Sequence, residues 1–146
     1  SDIESKTHFT LWCMMAAPLI AGNNLATMKP GILQILTNKN AVSIDQDKLG
    51  IPCFLWARTK GVEVWIKPLV DNNYAVCFLN RGGLPATIDF NLQQTVTDTD
   101  FSKSYTIDGS YSVYDIWNNT ELGTTQKNIS TTIQRHDVLF VILKKK

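Results

Sequence analysis

The sequence predicts an α+β chain made of two unlike pieces. Residues 1–50 read as helix, buried strand and helix, and residues 51–146 as an antiparallel β-sandwich. Two observations carry the prediction. Up to about residue 50 the apolar residues recur at helical spacing around one short continuous apolar run; beyond it almost every apolar run alternates with period two. The switch falls within residues 40–50, Asn-Ala-Val-Ser-Ile-Asp-Gln-Asp-Lys-Leu-Gly, which read as a short packed connector.

Ser1-Asp2-Ile3-Glu4 has the form of a capping box, with a second carboxylate in the first turn. His8, Leu11, Trp12, Met15 and Ala16 then share one helical stripe, widened by Phe9 and Cys13. A helix so broadly apolar is expected to be covered over much of its circumference, with His8 packed in the core. Pro18 is expected to stop it, because the residue before a proline is driven out of the helical region. Leu19-Ile20-Ala21 is all apolar, as in a strand buried on both faces of a parallel sheet, and Gly22-Asn23-Asn24 ends it as a turn. Pro30 and Gly31 open a second helix that runs to about Thr37. Asn38 and Asn40 break it, leaving a last helical or irregular turn around Ala41, Val42 and Ile44. A lone strand of the parallel type cannot satisfy its own edges. This third is therefore expected to close a larger α/β structure that begins before Ser1.

Beyond the connector, residues 52–58, 62–68, 74–80 and 86–91 are short runs rich in Val, Ile, Phe, Trp and Tyr, punctuated by Thr59-Lys60-Gly61, residues 70–73 and Arg81-Gly82-Gly83. Val62, Val64 and Ile66 alternate with Glu63, Trp65 and Lys67, as in a strand with one wet face. Further strands are expected at 112–117, 129–134, 138–144 and near 104–107, with 95–103 a polar loop. Roughly seven or eight short strands without intervening helices predict the sandwich.

The charge and residue inventory narrows the function. The 146 residues are 44% hydrophobic with a formal net charge of +1, which gives no electrostatic footprint for nucleic acid or an anionic membrane. Lys144-Lys145-Lys146 reads as a solvated tail. No apolar run approaches the roughly 18 residues of a membrane span. Cys13, Cys53 and Cys77 sit in apolar runs, outside any metal-ligand spacing, and read as buried thiols; one disulfide with one free thiol also fits. No metal site and no cofactor are implied.

Hydrolysis of a glycosidic bond needs two carboxyl groups facing each other, roughly 5–9 Å apart. The acidic residues do not suggest such a pair. Asp45 and Asp47 read as capping and fixing the connector, Asp98 and Asp100 as solvated. Gly22, Asn23 and Asn24 are the one polar group expected near a substrate: if Leu19-Ile20-Ala21 is a barrel strand, its C-terminal end faces the catalytic mouth.

Several segments in order resemble glycoside hydrolase family 27, the α-galactosidase (melibiase) family. They are His8-Phe9-Thr10-Leu11-Trp12 running into Ala16-Ala17-Pro18-Leu19-Ile20-Ala21-Gly22, Leu36-Thr37-Asn38-Lys39 with Ile44-Asp45-Gln46-Asp47-Lys48-Leu49-Gly50, and Val62-Glu63-Val64-Trp65 with Pro68-Leu69. Ala75-Val76 and Leu79-Asn80-Arg81 continue the match. The resemblance implies that residues 1–50 are the last helix, strand and helix of a (β/α)8 barrel and residues 51–146 its C-terminal sandwich. It also implies a retaining exo-glycosidase that removes terminal α-D-galactosyl residues from oligosaccharides, with both catalytic aspartates upstream of Ser1. This chain alone is then expected to be inactive. Two positions depart from the family: Asn24 and Asp45 stand where many members have Asp and Asn.

A reading of another class is a non-catalytic sandwich that binds carbohydrate or packs on a barrel, with Trp56, Trp65 and Trp117 as a stacking face. The expected partner is a galactoside oligosaccharide bound through the barrel, with no nucleic acid and no membrane. Apolar helix faces left uncovered leave a homo-oligomer open. Secreted, periplasmic and lysosomal locations are all compatible with the parent protein.

Overall fold

The computed structural model describes all 146 residues. Three α-helices, α1 (Asp2–Met14), α2 (Pro30–Leu36) and α3 (Lys39–Asp45), precede ten strands. These are β1 (Phe54–Thr59), β2 (Val62–Pro68), β3 (Tyr74–Asn80), β4 (Ala86–Phe90), β5 (Thr95–Asp98), β6 (Lys103–Thr106), β7 (Tyr111–Asp115), β8 (Thr120–Thr124), β9 (Ile129–Ile133) and β10 (Val138–Lys145). Six of them form one antiparallel sheet in the order β1-β2-β3-β10-β7-β8, while β4-β9 and β5-β6 are two-stranded ladders.

Two apolar cores lie on the two faces of the large sheet. On one face Val62, Val64, Ile66, Val76 and Phe78 pack against Ile88, Phe90, Val96, Ile129 and Ile133 of the small ladders, which makes the sandwich. On the other, Ala75, Cys77, Leu79 and Phe140 pack against Phe9, Cys13, Met14, Ala41 and Ile44 of the helices. The central strand β3 is buried along its whole length because it serves both cores. The expected wet face of β2 is therefore corrected: Lys67 is fully buried and Trp65 half-buried beneath the helical layer. The tryptophan stacking face is corrected as well. Trp56 packs edge-on against Phe90, and Trp117 donates its indole N–H to Thr10 Oγ1 at 2.8 Å, so both belong to the two cores.

The capping box at Ser1 forms as expected, with Glu4 N–H donating to Ser1 Oγ at 3.3 Å. The buried stripe of α1 is Phe9, Thr10, Cys13 and Met14, rotated from the expected one, and His8 is exposed rather than packed in the core. The sheet selects one side of a helix that is apolar nearly all round. The helix also ends before Pro18 can act, where Ala16 turns left-handed at φ 52°. Leu19-Ile20-Ala21 is not a strand here: it makes no backbone hydrogen bond, and Ile20 is 73% exposed. A parallel strand needs neighbours on both edges, and these residues have none. Asn38 does more than break α2, since its Oδ1 accepts from Ala41 N–H at 3.0 Å and caps α3, within which Asn40 lies.

Two strands were not expected from the sequence. β5 falls inside the expected polar loop and is held to β6 by hydroxyl pairs, Thr95 with Thr106 at 2.9 Å and Thr97 with Ser104 at 2.8 Å, over a single buried Val96. Asp98 is buried rather than solvated, accepting from Asp100 N–H at 3.0 Å to close that hairpin. β8 is an edge strand with no buried residue and so carries no apolar pattern.

Asp47 fastens the connector. Its carboxylate accepts from Leu49 N–H at 3.0 Å and from Val70 N–H at 3.2 Å, tying the end of the helical layer to the turn between β2 and β3. Asp47→Ala leaves both amides without this acceptor and is expected to cost about 1–3 kcal/mol in urea unfolding, with Asp47→Asn recovering part of the loss.

Candidate functional site

The sequence-expected residues Gly22, Asn23 and Asn24 are all exposed, in the bend that follows Ala21. Asn24 Oδ1 accepts from Ala26 N–H at 3.0 Å and starts the short turn Leu25–Thr27. Asn23 and Asn24 border a shallow cleft of about 360 Å³, together with Ser1, Ser5 and Lys29. Gly22 does not line it. Hydroxyls, amides and a lysine beside a chain reversal can hydrogen-bond a polar ligand, but the cleft has no histidine to activate a hydroxyl and only Asp2 as a carboxylate.

Four other carboxylates are engaged structurally. Asp115 accepts from Trp117 N–H, Asn118 N–H and the Asn118 side-chain amide. Asp137 pairs with Lys6 at 2.7 Å, which joins α1 to the loop before β10. Glu63 pairs with Arg81 at 3.0 Å and accepts from the Trp65 indole. Asp89 accepts from Ser130 Oγ at 2.6 Å, and this bond holds its carboxyl below the usual carboxylate range.

A polar group missed from the sequence lies at the junction of helices and sheet. Lys67 is fully buried and its ammonium donates to the Ile51 carbonyl at 2.9 Å. Burial holds its pKa below the usual lysine range, against the opposing pull of Asp45. Asp45 is also buried; one carboxylate oxygen accepts from Gln46 Nε2 at 2.5 Å and the other has no partner. Cys13 and Cys53 lie in the same region, and burial pushes their thiols up to about 12 and about 11. All three cysteines are free. The signal that could have revealed this junction is Trp65, whose large apolar ring on a supposedly wet face already asks for a covering layer.

The fold is a two-core unit with helices seated on the outer face of an antiparallel sandwich. A family described as "Alpha galactosidase A" matches residues 1–47, and the "Alpha galactosidase C-terminal beta sandwich domain" matches residues 59–143. The chain belongs to the alpha-galactosidase (melibiase) family. Among curated relatives, Alpha-galactosidase A of Cellvibrio japonicus is 34% identical over 98% of this chain and 36% of its own length. An alpha-galactosidase of Cyamopsis tetragonoloba is 28% identical over 96% of this chain and 32% of its own length. A crystal structure of a Bacteroides fragilis protein described as an alpha-galactosidase/melibiase superposes with a TM-score of 0.82 at 31% identity, covering 99% of this chain and 29% of that one. The chain thus spans about a third of the length of these curated relatives.

Proposed function

We propose that this chain is the C-terminal part of a retaining exo-glycosidase that hydrolyses terminal α-D-galactosyl residues of oligosaccharides. In this reading residues 1–50 complete a (β/α)8 barrel, and residues 51–146 are the sandwich that braces it. The observation that carries the reading is the pair of family matches in order, one on each side of a junction that shares a single apolar core. The aspartates of the reaction, one as nucleophile and one as acid and base, come from polypeptide outside these 146 residues. Within them, Asp47, Asp89, Asp98, Asp115 and Asp137 are occupied in holding the fold.

Gly22, Asn23 and Asn24 then sit at the substrate end of the last barrel strand, where Asn23 and Asn24 can hydrogen-bond sugar hydroxyls. The exposed apolar residues Met15 (53%), Ile20 (73%), Leu25 (75%) and Leu33 (51%) fit surfaces that the rest of a barrel would cover. In the same reading Leu19-Ile20-Ala21 becomes a strand when it gains neighbours on both edges.

The test compares aryl glycosides as substrates for the natural full-length polypeptide carrying this chain. Aryl α-D-galactoside is expected to be the best substrate, ahead of aryl α-N-acetylgalactosaminide and aryl β-L-arabinopyranoside. The 146-residue chain alone is expected to turn over none of them. Preference for either alternative glycoside contradicts the proposed specificity, and turnover by the chain alone contradicts the placement of the aspartates.

A further inference from the structure

A cleft of about 470 Å³ opens at one end of the sandwich, away from the Gly22-Asn23-Asn24 turn. Its walls come from the turn Val70–Asn72, from β6, and from the residues at the start of β7 and the end of β10. Its volume falls within the range of small-molecule sites.

Three tyrosines build its interior. Tyr74 packs edge-on against Tyr105 at 6.4 Å and tilted against Tyr111 at 5.9 Å, while Tyr105 stacks on Phe54 at 5.8 Å. Rings locked together in this way keep the cleft's shape without a ligand. Tyr74 is 4% exposed and Tyr111 1% exposed, yet neither hydroxyl has a hydrogen-bond partner in the protein. Neither is a sealed unpaired atom, so both reach the open side of the cleft they line. The rings are buried while both hydroxyls face the cleft without a protein partner, so the two can hydrogen-bond a molecule that enters it. Burial raises both phenol pKa values, so both groups are protonated at neutral pH and free to donate.

The charges argue against an anion site. The Lys103 ammonium lies 5.2 Å from the centre of the Tyr105 ring, and that of Lys145 lies 5.9 Å from the Tyr111 ring and 4.0 Å from Asp108. Asp71 adds a carboxylate at the rim. Both cations thus already have electron-rich partners. What remains is a mixture of donors and acceptors, the two phenols with Asn72, over the apolar Pro68 and Leu69. That mixture matches a neutral polyhydroxylated molecule.

The turn on the rim is fixed. Asp71 and Asn72 are both left-handed, at φ 59° and 55°, and are held between the Leu69 N–H to Asn73 C=O bond at 2.9 Å and the Lys145 N–H to Asn73 Oδ1 bond at 2.9 Å.

We propose that this cleft is a carbohydrate-binding subsite on the sandwich that takes one neutral sugar unit through the Tyr74 and Tyr111 hydroxyls. The choice of a galactoside as the sugar rests on the proposed function; the choice of a neutral sugar rests on the cleft. The experiment uses the natural full-length polypeptide with carbon-13-labelled tyrosine, titrated with methyl α-D-galactopyranoside, methyl α-D-glucopyranoside and inorganic phosphate in separate runs. Single Tyr→Phe variants assign the signals.

The Tyr74 and Tyr111 signals are expected to shift saturably with a sugar and not with phosphate. The double variant Tyr74→Phe with Tyr111→Phe is expected to weaken that binding about tenfold or more. Its unfolding midpoint stays unchanged, because neither hydroxyl has a protein partner to lose, and turnover of aryl galactoside persists. Tyr74 and Tyr111 signals that respond to no sugar or respond to phosphate instead, or a Tyr105 signal that titrates at the same sugar concentration in the double variant as in the parent, would overturn the subsite. A polypeptide that hydrolyses galactosides while these tyrosines stay silent sinks the subsite alone. One whose tyrosines titrate with sugar but which hydrolyses no galactoside sinks the proposed function and keeps the subsite.

Discussion

Raising the pH from about 8.5 to 10 is expected to lower the unfolding free energy by about 1.5 kcal/mol for each thiol that the fold keeps protonated. Burial is the leading cause at all three cysteines, lifting Cys13 to about 12 and Cys53 to about 11, and raising Cys77 as well. The sign follows from proton counting. In the unfolded chain the thiols ionise near their ordinary value of about 8.5, whereas the fold holds their protons, so the unfolded state binds fewer protons and stability falls with pH. Lys67 acts the other way. Its folded pKa is lowered, so the fold releases that proton first and stability rises up to the ordinary lysine value of about 10.4. Three thiols against one lysine leave a net loss, a large share of the roughly 5–15 kcal/mol that stabilises an ordinary domain. Urea unfolding at successive pH values checks this. Replacing the three cysteines by alanine should flatten the dependence, and Lys67→Met should steepen it. A slope that survives removal of all three thiols would show that burial at the junction is not its source.

Phe140→Ala should cost about 3–5 kcal/mol. The ring is fully buried on the face of β10 that carries the helices, 6.5 Å from the Trp117 ring, whose indole anchors Thr10 of α1. Removing it leaves a cavity at the seam between helices and sheet, with little chance of collapse where the surrounding Cys77 and Ile116 are themselves fixed. The loss should also be local in character: amide protection in α1 should fall before that in β2 and β3, because β3 keeps the sandwich core on its other face. Phe101, 71% exposed, supplies the contrast. Phe101→Ala is expected to change stability by less than about 0.5 kcal/mol. Equal effects at the two positions would mean that the helical layer contributes little to the fold.

What the sequence made legible follows from which signals are local. β2 and β3 were readable to the residue because Val62, Val64 and Ile66 alternate and turn residues bound each run. The capping box was readable because its parts lie three residues apart. Signals that depend on a neighbour were not. The covered outer face of β2, the burial of Lys67 and the buried side of α1 are all decided by helices docking on the sheet, which no period in β2 or α1 can report. β5 escaped because its pairing rests on threonine and serine hydroxyls. Leu19-Ile20-Ala21 carries a strand pattern but finds no strand partner among this chain's own elements. For the same reason the Gly22-Asn23-Asn24 turn could be picked out as a candidate but not oriented, and the tyrosine cleft could not be read at all. Its three rings come from β3, β6 and β7, and only the pairing and packing of the sheets bring Tyr74 to the other two.

The proposal that this chain completes a retaining α-galactosidase stands or falls on the configuration of the first-formed product. Proton nuclear magnetic resonance can follow the natural full-length polypeptide as it hydrolyses an aryl α-D-galactoside. Galactose is expected to appear first as the α-anomer, which then mutarotates. First appearance of the β-anomer, or no hydrolysis by a folded full-length polypeptide, would contradict it.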